Sequence, residues 1–162
     1  MNSARKLLIF GGLALAVFGM LYGLHYALFV EHQTLDRMGG SLAEAFVQAA
    51  GGNGDGAVGA LDSYTNTKYV YVRQVDVHSH WIGMAMIMIV LGVVFDSVGF
   101  AESVRFWIAL ALLVGSVIFP LGVLLQTLQN GGAVPSALAI AGAALVTVAL
   151  GAVAVGFARQ SS

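Results

Sequence analysis

The apolar positions of this chain gather into four long runs, at about 7–30, 77–98, 106–128 and 136–157. A bilayer core takes about 20 mostly apolar residues per helix, so each run is long enough to cross a membrane once. The breaks between them are short, except for a linker over residues 31–76. Within that linker Leu35, Met38, Leu42 and Phe46 recur at helical spacing, which predicts an amphipathic helix over 35–50 lying at the membrane interface. Gly51-Gly52-Asn53-Gly54-Asp55-Gly56 then breaks the helix. The alternation Tyr69-Val70-Tyr71-Val72-Arg73 fits an extended segment or an aromatic belt. The expected architecture is all-α: one membrane domain over 1–162, a four-helix bundle with a long outer linker containing an interfacial helix.

Small residues and one proline refine the picture. Gly19 and Gly23 form a G-x-x-x-G pair in the first run, suited to close helix packing. Pro120 should kink the third run.

Composition agrees with the pattern. The chain is 59% hydrophobic and 9% charged, whereas a soluble domain carries about 25% charged residues. Its partner is the lipid bilayer. A net charge of −1 gives no sign of nucleic-acid binding. With no cysteine, thiolate metal sites, iron–sulfur clusters and covalent haem attachment are excluded. Arg5 and Lys6 precede the first run, Arg105 lies between the second and third, and Arg159 follows the fourth. All four fall on one side, and the positive-inside rule makes that side cytoplasmic. Both termini are then cytoplasmic and the linker is outside, as expected for a bacterial inner membrane protein. The first run is too long for a signal-peptide core and lacks an A-x-A cleavage pattern, so it reads as an uncleaved anchor.

The four histidines carry the candidate chemistry, since ionisable residues at membrane depth mark functional sites. His25 and His32 lie near the end of the first run, and His78 and His80 open the second. Seven residues apart, His25 and His32 are about 10 Å apart along a helix and cannot share one ion. The state of 75–81 decides what His78 and His80 can do. On a helix they point about 200° apart; on a strand Asp76, His78 and His80 share one face and could bind a single metal. The helix is the favoured state. A haem b held between His25 of the first span and His80 or His78 of the second follows, with a second haem conceivable between His32 and the remaining histidine. Arg73 is a candidate cation for the propionates. Bis-histidine ligation suits electron transfer.

His78-Ser79-His80, followed by Trp81 and Gly83, resembles the H-x-H helix of haem-copper oxidases and related b-type membrane cytochromes. The resemblance covers about 75–96 and implies haem ligation at His78 or His80. Four spans with paired histidines are also similar to small b-type cytochromes that exchange electrons with quinone. The third and fourth runs contain no histidine, so an oxygen-reducing centre within this chain alone is not expected. Three functions stay open. One is a haem b electron-transfer protein or small respiratory-complex subunit, an oxidoreductase component working with a quinone or a periplasmic redox protein. The second is a membrane protein binding non-haem copper, zinc or iron through His25, His78 and His80. The third is a cofactor-free structural subunit that packs against other membrane subunits or a second copy.

Overall fold

The computed structural model describes residues 2–128 and 131–160. Gln129 and Asn130, in the uncharged turn expected between the last two spans, lie outside the described residues. The fold is all-α, with no strand among the described residues. In chain order the helices are α1 (Ser3–Phe29), α2 (Glu31–Ala50), α3 (Gly54–Val94), α4 (Glu102–Leu128) and α5 (Ala133–Gln160), with a 3-10 turn at Phe95–Ser97. Of these, α1, α3, α4 and α5 are long and apolar enough to cross a membrane.

The linker contains no extended segment. Residues 54–76, including the alternating Tyr69–Arg73 stretch, form the first part of α3. This helix of 41 residues is about 60 Å long at 1.5 Å per residue, twice a hydrocarbon core of about 30 Å. The glycine-rich break is narrower than its composition suggests. Only Gly52 takes a left-handed φ, 75°, which a side chain would resist. Asn53 then restarts the helix by accepting a hydrogen bond from the Gly56 amide at 3.0 Å, as N-caps do. The expected linker helix begins four residues early, at Glu31, because the backbone is barely interrupted at Val30: Val30 N–H bonds to Tyr26 O and Thr34 N–H to Val30 O.

Two antiparallel hairpins result. The long one pairs α1 and α2 with α3, and the short one pairs α4 with α5. Glycines allow the close approach of α4 and α5. A Cβ at Gly142 would collide with the backbone of Phe119, and one at Gly122 with that of Ala139. The short hairpin packs beside the long one through α1 and α3, and Gly131 comes beside Tyr69, whose hydroxyl would lie 3.0 Å from a Cβ there. The first part of α3 and α2 form a two-helix stalk. At the opposite end Arg5 pairs with Asp96 at 3.2 Å, Arg105 donates to the Asp96 carbonyl at 2.9 Å, and Arg159 lies 5.4 Å from the Phe100 ring. The cations that sequence places on one side of the membrane are thus gathered at one end of the molecule.

Candidate functional site

The segment containing His78 and His80 is helical. Asp76, His78 and His80 therefore do not share a face, and the three-ligand strand geometry is not formed. The two imidazoles leave α3 in nearly opposite directions, about 200° apart. His78 turns to α1 and His80 to α4, where its ring centre lies 4.5 Å from that of Phe119.

His78 is held by the small residues of α1. Its Nδ1 lies 2.9 Å from the carbonyl oxygen of Gly19. A carbonyl only accepts, so Nδ1 carries a proton and donates it to Gly19, which leaves Nε2 as the ring nitrogen that could serve as a ligand. The ring lies flush against Gly23, where any Cβ would overlap it. The G-x-x-x-G pair thus opens space for an imidazole as well as for a helix. Gly19 itself backs onto the Cβ of Trp81, at 3.1 Å from a Cβ built there.

Beside this ring is a cleft of about 240 Å³, lined by Gly23, Tyr26, Ala27, Glu31, Val75 and His78. Tyr26 is buried, with its ring centre 6.4 Å from that of Tyr71. The Tyr71 hydroxyl lies 3.5 Å from Glu31 Oε1. An imidazole, a carboxylate and two phenols therefore meet where α1 passes into α2. Sequence spacing gave no sign of this convergence. Tyr26 and Tyr71 read equally well as interfacial belt residues, and only the antiparallel register that sets Gly23 opposite His78 unites them.

The other candidates are placed elsewhere. His25 is exposed, with its ring 5.4 Å from Phe29. It stands two residues from Gly23, about 200° round α1, so it points away from His78. His32 is exposed on α2. No two imidazole rings are in contact, and no three His, Asp or Glu side chains converge as metal ligands, among the described residues. Arg73 lies 3.8 Å from Asp76 and 5.2 Å from the Tyr69 ring, on the side of α3 away from His78.

A second concavity, about 380 Å³ and wholly apolar in its lining, runs between α1 and α4 over Gly11, Phe18, Leu113 and Leu121 with Trp81 on its floor. Trp81 is buried under the edge-on rings of Phe18 and Tyr22. No histidine lines this groove. No family model, curated protein or solved structure matches the chain.

Proposed function

We propose that this protein is a haem b-binding membrane electron-transfer protein, or a small membrane subunit of a respiratory complex, with His78 as its principal haem ligand. The observation that carries the reading is the hydrogen bond from His78 Nδ1 to the Gly19 carbonyl. Ligating histidines almost always donate their second ring N–H to a carbonyl or carboxylate, which fixes the tautomer and orients the lone pair. His78 has that arrangement, with a cleft beside it.

The donor set favours haem over a bare ion. Zinc and similar ions take three or four protein ligands, and no such group converges among the described residues. Haem brings four nitrogens of its own and asks the protein for one or two imidazoles. When bound it supplies a one-electron couple tuned by its axial ligands and the surrounding polarity. In this chain Gly19 fixes the imidazole, Gly23 leaves room for it, and Tyr26 and Glu31 give the cleft a polar end. The grouped cations at the end opposite the stalk fit a cytoplasmic face, with the stalk in the periplasm of a bacterial inner membrane. The electron partner would be a quinone or a periplasmic redox protein.

A reduced-minus-oxidised visible spectrum with a pyridine haemochrome assay, on protein purified from haem-replete cells, tests the reading. The expected result is a b-type spectrum that disappears in His78→Ala and persists in His32→Ala. Wild-type protein without haem, or His78→Ala with its full complement, would overturn it.

A further inference from the structure

Phe18 and His80 mark the sides of α1 and α3 that face α4. Ala27 is nine residues from Phe18 and His78 two from His80, so each lies well over 120°, and about 160–180°, round its helix. The His78 cleft therefore opens on the face of the long hairpin turned away from α4. The same face continues into the stalk. On α2, Leu35, Leu42 and Phe46 stay within about 60° of Glu31 and are 44%, 38% and 70% exposed. On α3, Val72 and Leu61 stay within about 60° of Val75 and are 43% and 45% exposed. The two stripes face one side because the opposite side is shared in the same way: Arg37 of α2 and Asn66 of α3 line one concavity there.

The stalk rests on the pairing of α2 with α3. It carries Asp36, Glu44, Asp55 and Asp62, the composition of a segment in water. Within α2 only Thr34 and Ala45 are buried, a small core for two helices. An apolar stripe of this length in water marks an interaction surface.

We propose that this face seats a second copy of the chain, related by a two-fold axis along the membrane normal, and that the second copy closes the His78 cleft and supplies the other imidazole. Charge selects the occupant. Under this symmetry α2 of one copy lies over α3 of the other. Glu31 and Lys68 are on the bare face, Lys68 seven residues before Val75 and about 20° from it. The Lys68 ammonium rests 5.8 Å from the Tyr64 ring and joins neither ion pair found among the described residues. Each copy thus offers one carboxylate and one ammonium to its mate, and isologous contacts require such self-complementarity. The dimer stands on the exposed face alone; the imidazole pairing rests on the haem reading, and gives one haem per two chains.

The absence of native cysteine makes the test clean. A tagged Leu42→Cys chain and an untagged Leu61→Cys chain are expressed together in membranes and treated with a short bis-maleimide. A tagged product at twice 16.8 kDa is expected, and none when Asn66→Cys replaces Leu61→Cys. Lys68→Glu should reduce the product several-fold, and adding Glu31→Lys should restore it. No product, a product of another mass, or one indifferent to Lys68→Glu would overturn the docking. Haem is counted in the same samples. Half a haem per chain supports the shared site, and a full haem on a monomer overturns it. Cross-linked dimer with no haem leaves the docking face standing and removes the haem reading.

Discussion

The His78 imidazole is hydrogen-bonded to the carbonyl of Gly19, 59 positions away in sequence and one helix across. In an α-helix that carbonyl already accepts the amide of Gly23, and it shares its second lone pair with the ring. The bond is possible because neither Gly19 nor Gly23 carries a side chain that would hold α3 at a distance. Helix packing and the seating of the His78 ring use the same two glycines.

Substitutions at glycine should therefore sort by what a Cβ meets. Gly23→Ala overlaps the His78 ring, while Gly83→Ala meets nothing within 4 Å. Overpacking a tight contact costs about 1–3 kcal/mol, and Ala gains about 0.5–1 kcal/mol over Gly in a helix interior. Thermal unfolding in detergent should show Gly23→Ala destabilised and Gly83→Ala unchanged or stabilised. The reverse order would remove His78 from its place against α1.

The short hairpin should fail at Gly142. A β-branched side chain there would press on the Phe119 backbone, which cannot yield as a flexible side chain can. Gly142→Val should separate α4 from α5, read as rapid proteolysis of the purified protein. Gly151→Val, with open space around its Cα, should resist protease like the parent.

Trp81 anchors the middle of the long hairpin, 1% exposed, whereas Trp107 is 66% exposed. The Trp81 indole N–H is buried without a hydrogen-bond partner among the described residues, so removing it loses no bond to them. Trp81→Phe should cost much less than Trp81→Ala, for which about 3–5 kcal/mol is expected. Equal losses in thermal melts would contradict the edge-on packing of Phe18 and Tyr22 as the source of stability.

At the basic end the Arg5–Asp96 pair is partly exposed, 33% and 45% for the two side chains. Solvent screening limits such pairs to about 0.2–1 kcal/mol. A double-mutant cycle with Arg5→Ala and Asp96→Ala should give a coupling in that range that shrinks as salt is raised. A coupling of several kcal/mol would place this contact in a far drier setting.

The sequence by itself determined the class and much of the layout. Four apolar runs can only be satisfied as helices in a bilayer, and the positions of Arg5, Arg105 and Arg159 in the chain required them to share one end. It also fixed the divergence of His78 and His80 once their segment was taken as helical, since 100° per residue is a local property. Tertiary structure decided the rest. Helical period says that His78 and His80 oppose one another, but not which helix each meets. That depends on the register between α1 and α3, set by Gly19 and Gly23 against Trp81 and His78, contacts between residues distant in sequence. The same register turned His25 away from His78, although both are membrane-edge histidines of equal promise on paper. The stalk was hidden for a related reason. Residues 54–76 lack the apolar content of a span, and their alternation suits an extended segment, yet α2 packing along them makes them one continuous helix with the span that follows.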